Sequence, residues 1–88
     1  MPDQASTICV LRVLDGSGDR SVSWDRDQLA AGDAEALAAV REAERIFNKA
    51  RAGGAQAFQV LPHGPARRLD QFDADATEVL LIPPMVGG

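Results

Sequence analysis

Aromatic residues are scarce in this chain: three phenylalanines, one tryptophan and no tyrosine among 88 residues. None is interleaved with the basic residues, so the stacking surface of a single-strand nucleic-acid binder is not expected. The net charge of −4 argues the same way, because nucleic-acid binding relies on Lys and Arg neutralising phosphates. An acidic surface instead keeps a small protein dissolved and steers it towards a basic partner. One cysteine, Cys9, excludes an internal disulfide and any multi-cysteine zinc site. It sits inside the run Ile8–Leu14, where a buried, inert thiol is expected over a reactive one. The single histidine, His63, has no Cys, Asp or second His at ligand spacing, and no metal role is expected for it. No apolar run approaches the ~20 residues that span a bilayer. No basic segment followed by an apolar one opens the chain, so no signal peptide is expected and the chain reads as cytoplasmic. Lys49 is the one lysine, so self-linked chains of this protein would need Lys49 or the N-terminus as acceptor.

Apolar residues make up 45% and charged residues 25%, which is ordinary for a globular domain and argues against disorder. Eighty-eight residues suit one domain that buries roughly 60–65% of its unfolded surface. The expected division is a single domain over 1–82 and a flexible C-terminal tail over 83–88.

Thr7–Leu14 reads as a strand from its β-branched and apolar content. Arg12 breaks one alternating series, so Cys9, Leu11 and Val13 are the core-facing set. Asp15-Gly16-Ser17-Gly18-Asp19 is a turn cluster that invites a metal or phosphate reading, but a hairpin turn explains it. Arg20–Asp25 alternates as a half-buried strand with Val22 and Trp24 inward. The main helix is expected over about 33–52. Asp33 is placed to cap it, and Glu35 lies in its first turn, where the dipole favours negative charge. Ala36, Val40, Ala43, Ile46, Phe47 and Ala50 recur at helical spacing as one apolar stripe. Arg41, Glu42, Arg45 and Lys49 fall on the other side. Gly53-Gly54 are expected to supply a left-handed cap.

Gln56–Leu61 is expected as a third strand with Phe58 and Val60 on its core face, followed by a turn at Pro62–Pro65. Ala66–Phe72 returns as a short edge strand, with Leu69 and Phe72 anchoring it to the core. Arg67-Arg68 reads as a solvated strand face, with partner docking as the alternative. After a polar bend at Asp73–Thr77, Glu78–Ile82 is apolar on both faces, as befits a central strand covered by other elements. One amphipathic helix covers one sheet face, so the fold class is two-layer α+β with a mixed four- to five-stranded sheet. The first and last strands are expected as central neighbours. The expected core is Leu11, Val13, Trp24, Val40, Phe47, Phe58, Val60, Val79 and Leu81.

The last strand empties into Pro83-Pro84-Met85-Val86-Gly87-Gly88. Two prolines force the chain off the sheet and stiffen its exit. Two glycines lack side chains that would hinder a narrow enzyme channel, although a frayed Gly-rich terminus is the plain alternative. The stretch from Asp75 to Gly88 (an acidic bend, then Ala76-Thr77-Glu78-Val79-Leu80-Leu81-Ile82-Pro83-Pro84-Met85-Val86-Gly87-Gly88), behind a β-β-α frame, resembles the ubiquitin-like β-grasp superfamily. It is most similar to the small sulfur-carrier proteins of the molybdopterin-synthase small-subunit type. The resemblance implies a carrier or modifier rather than an enzyme, and the charge, residue spacing and short apolar runs noted above lead us to expect no cofactor or metal and no nucleic-acid or membrane partner. An adenylating enzyme of the ubiquitin-activating type would use ATP to activate Gly88, with Gly87 giving unhindered approach. Pro83, Pro84, Met85 and Val86 would be the threaded, partner-binding segment. A thiocarboxylate for a sulfur-accepting synthase and an amide bond to a conjugation target both remain open. Outside that resemblance, a small non-catalytic protein-binding module with an inert tail is the alternative. A small enzyme ranks last, because no nucleophile–base pair or phosphate-binding Gly loop is visible in the sequence.

Overall fold

In a computed structural model, residues 7–15, 18–61 and 63–84 are described. Strands β1 (Ile8–Asp15) and β2 (Gly18–Asp25) form an antiparallel hairpin paired in register from Ile8 with Asp25 to Asp15 with Gly18. The turn residues Gly16 and Ser17 lie outside the described residues. A short helix α1 (Arg26–Ala30) follows, then the main helix α2 (Ala34–Ala52), β3 (Gln56–Gln59), β4 (Arg67–Arg68) and β5 (Glu78–Ile82). The five strands make one mixed sheet in the order β2-β1-β5-β3-β4. β5 runs parallel to β1 and antiparallel to β3, so the first and last strands are central neighbours, as expected. The architecture is α+β: a five-stranded mixed sheet with one main helix.

The capping chemistry sets the helix bounds. The Asp33 carboxylate accepts from the Ala36 N–H at 2.9 Å and so satisfies one orphan donor of α2. At the other end, the Ala55 N–H reaches back to the Ala50 carbonyl at 2.9 Å and the Gly54 N–H to Arg51 at 3.0 Å. This is a Schellman closure, and its left-handed residue is Gly54 alone at φ +98°. Gly53 stays at φ −85°, so the expected left-handed pair reduces to one glycine. α1 has no counterpart among the sequence expectations. Its five residues are too few to show a helical period, and a single cap at Asp25, accepting from the Asp27 N–H at 2.8 Å, starts it.

Directly paired residues share a sheet face. Cys9, Leu11, Trp24, Val79 and Leu81 therefore point together beneath α2, which contributes buried Ala36, Ala43 and Phe47. The Trp24 and Phe47 rings lie 5.9 and 5.8 Å from Phe72, the latter edge-on, a geometry that aromatic quadrupoles favour. Trp24 Nε1 donates to the Ala74 carbonyl at 3.1 Å, so the buried indole keeps its hydrogen bond and ties down the segment before β5. Leu69 and Phe72 anchor this segment as expected.

Two expectations change. Phe58 and Val60 are half-buried, and the inward residue of β3 is Ala57, fully buried beside buried Ala55. The reason is register: Ala57 pairs Leu81 and Phe58 pairs Leu80, and Leu81 faces the helix. The expected strand over Gln56–Leu61 ends at Gln59, and the expected strand at Ala66–Phe72 contracts to the edge pair Arg67–Arg68. Second, β5 is covered on one face. Among the described residues no helix lies across the other face, where Leu80 is half-buried and Ile82 exposed.

Candidate functional site

The chain leaves the sheet from its centre. β5 is hydrogen-bonded on both flanks: the Val10 N–H donates to Thr77 at 3.0 Å and the Val60 N–H to Glu78 at 2.9 Å. A strand held from both sides makes a fixed base for whatever follows it. After Ile82, Pro83 and Pro84 are exposed and carry no regular structure. Proline has no N–H for the ladder, which accounts for pairing that ends at Ile82 opposite Gln56. The Pro84 ring lies beside Gly54, 3.6 Å from where a side-chain carbon on that glycine would stand. The exit of the chain and the end of α2 are therefore adjacent. Met85, Val86, Gly87 and Gly88 lie outside the described residues, so of the six candidate site residues the structure places Pro83 and Pro84.

The remaining candidates settle individually. Cys9 is fully buried, and burial pushes its thiol above the usual range, against a smaller opposing pull from Arg26. A protonated thiol without access is neither nucleophile nor ligand. His63 is exposed, and among the described residues no three metal-ligating side chains cluster. Arg67 and Arg68 are exposed on the edge strand, which fits a solvated face. Lys49 is exposed on α2. No helix of the described residues is long and apolar enough to cross a membrane.

Two surfaces emerge that sequence reasoning does not single out. One is the uncovered sheet face, where Phe58, Leu80 and Ile82 lie near one another and Ile8 is 47% exposed. Arg12 bridges Glu78 there at 3.1 Å. Its signal is the apolar character of both faces of β5, which in sequence points equally to a second covering element. The other surface is a cavity of about 330 Å³ between the hairpin and the last turns of α2, lined by Val13, Arg20, Arg45, Ile46, Lys49 and Ala50. Its signal is the step of four between Arg45 and Lys49 beside the same step between Ile46 and Ala50, opposite an arginine in the core-facing register of β2. Comparison with known protein families, with curated proteins and with solved structures finds no match.

Proposed function

We propose that this chain is a ubiquitin-like carrier or modifier of the β-grasp type, acting as substrate of an ATP-dependent activating enzyme in the cytoplasm. The Gly88 carboxylate attacks the α-phosphorus of ATP, pyrophosphate leaves, and an acyl-adenylate results. Hydrosulfide supplied by a partner then displaces AMP to give a thiocarboxylate for a synthase, or an amine of a target displaces AMP to give an amide. Gly87 leaves the approach unhindered, and Pro83, Pro84, Met85 and Val86 form the threaded, partner-binding segment.

One observation carries this reading: β5 sits in the middle of the sheet, paired on both sides, and releases exposed Pro83-Pro84 from its end. A strand paired on both flanks gives the residues that follow it a fixed starting point. Adenylate formation, followed as pyrophosphate exchange, tests it with Gly87→Val beside the parent chain. Exchange is expected to collapse while the melting temperature stays unchanged, and normal exchange by the variant would remove the main support. Mass spectrometry of protein from its native host then separates the two fates: a terminal thiocarboxylate means sulfur transfer, and Gly-Gly remnants on other proteins' lysines mean conjugation.

The exposed apolar residues Ile8 and Ile82 on the uncovered sheet face favour a second reading, a binding module whose tail is inert. Deleting Gly87 and Gly88 distinguishes the two. A carrier loses all activity, whereas a binding module keeps its affinity.

A further inference from the structure

The chain carries a net charge of −4, yet three of its nine cationic side chains meet at one cavity. Arg20 comes from the start of β2, where it pairs Val13 and so faces the helix layer. Arg45 and Lys49 come from successive turns of α2. Val13, Ile46 and Ala50 supply the apolar part of the lining, and each is half-buried. Arg45 is committed: its Nε and Nη2 donate to the Glu42 carboxylate at 3.0 and 2.6 Å. That fork fixes the guanidinium plane and holds the Glu42 carboxyl below its usual range, with a weaker pull from Arg20. Among the residues whose side chains are described, no carboxylate lies within ion-pair distance of Arg20 or Lys49. Among those described side chains, three cations and the one carboxylate of Glu42 surround an apolar floor. Such a lining matches a molecule with an anionic head and an apolar body.

We propose that this cavity binds a small amphipathic anion, a carboxylate or phosphate monoester on a short aliphatic body, with Arg20 and Lys49 holding the head and Val13, Ile46 and Ala50 the body. Size decides for a small molecule over a polypeptide. The cavity, about 330 Å³, sits at the lower end of the ~300–1,000 Å³ typical of small-molecule sites. It is a local pit beside α2. The inference is independent of the tail chemistry proposed above, since none of its residues belongs to the exit segment.

Titration of the isotope-labelled full chain with hexanoate and hexyl phosphate, followed by amide chemical shifts, tests it. Saturable shifts are expected at Val13, Ile46, Lys49 and Ala50 with at least one of the two anions. Hexan-1-ol, of the same length without charge, should bind at least about tenfold more weakly, as should either anion with the Arg20→Ser, Lys49→Ser double variant. Both positions are exposed, so the variant should melt with the parent. If the variant does not fold, the neutral alcohol makes the same discrimination on the unmodified chain. No saturable shift with either anion, or equal binding of the alcohol, overturns the proposal. So does a Glu-rich peptide that binds the site more tightly than hexanoate, because the occupant would then be a polypeptide.

Discussion

The two faces of this sheet are built from the same strands and differ in almost every other respect. Under α2, Cys9, Leu11, Val79 and Leu81 are all at 0% exposure, and no buried polar or charged side chain is found among the described residues. On the opposite face, alternate residues of the same strands include the Arg12–Glu78 ion pair, half-buried Phe58 and Leu80, and exposed Ile8 and Ile82. One helix has one apolar stripe, and it covers one face. Apolar content alone therefore does not assign a residue to the core. β5 carries Val79, Leu80, Leu81 and Ile82 in succession, and only every second one reaches the helix. What separates them is a register of one residue, set by pairing with β1 and β3.

Removing the keystone of the covered face should have the largest effect. Phe47 touches both the sheet core and the Phe72 ring, and Phe47→Ala should cost ~3–5 kcal/mol, read from urea unfolding. For a domain whose whole stability is of order 5–15 kcal/mol, that leaves little margin. A loss below about 1 kcal/mol would mean that the helix is not seated on this face. The sharper test compares neighbours on one strand. Leu81→Ala should cost ~2–5 kcal/mol, whereas Leu80→Ala should cost about 1 kcal/mol, because Leu80 already meets solvent. Equal losses would place a covering element over the second face.

Much of the covered layer was legible in the sequence, and for identifiable reasons. The helix announced itself through Asp33, the stripe from Ala36 to Ala50 and the glycines at 53 and 54, three independent local signals that agree. Cys9, Leu11 and Trp24 followed from strand alternation. β3 misled because its larger side chain, Phe58, faces away from the helix while the small Ala57 faces it. Side-chain size suggested one face, and pairing with β5 imposed the other. α1 and the two-residue β4 are too short for any periodicity to reveal. The candidate tail was legible as composition, with its first two prolines placed where the strand ends. The basic cavity was not legible as a site, because Arg20 and Lys49 stand 29 positions apart and only the packing of the hairpin against α2 brings them together.

The join between helix and sheet offers a smaller break. Gly54 holds φ +98° in the turn from α2 to β3, and Gly54→Ala should cost ~1–2 kcal/mol through backbone strain. The space itself is open enough, since the Pro84 ring would stand at 3.6 Å from the new carbon, ordinary contact distance. Thermal melting checks it, and an unchanged midpoint would mean that the turn adopts another conformation. The covered face also carries a pH signature. Burial raises the Cys9 thiol, so the folded chain holds that proton more tightly than the unfolded chain does. The contribution is complete below the unfolded thiol value of about 8.5 and is lost as pH rises through the higher folded value. The urea midpoint should fall between neutral pH and the alkaline side of that window, and fall less in Cys9→Ala. With no tyrosine and one lysine, few other groups titrate there. An equal fall in the variant would assign the effect elsewhere.

The smallest expected effect probes the open face directly. Arg12 and Glu78 approach to 3.1 Å with side chains 52% and 32% exposed, so water screens the pair. A double-mutant cycle with Arg12→Ala and Glu78→Gln should give a coupling of ~0.2–1 kcal/mol, shrinking as salt is added. The value matters less than its sensitivity to surroundings. Were this face covered in solution, the pair would lose its water and salt would no longer screen it. Coupling would then rise to several kcal/mol, because each charge left alone would be buried without a partner. A small, salt-sensitive coupling thus confirms that the second face of the sheet meets solvent. A large, salt-insensitive one would show that something lies over Arg12, Leu80 and Phe58 and would erase the difference between the two faces.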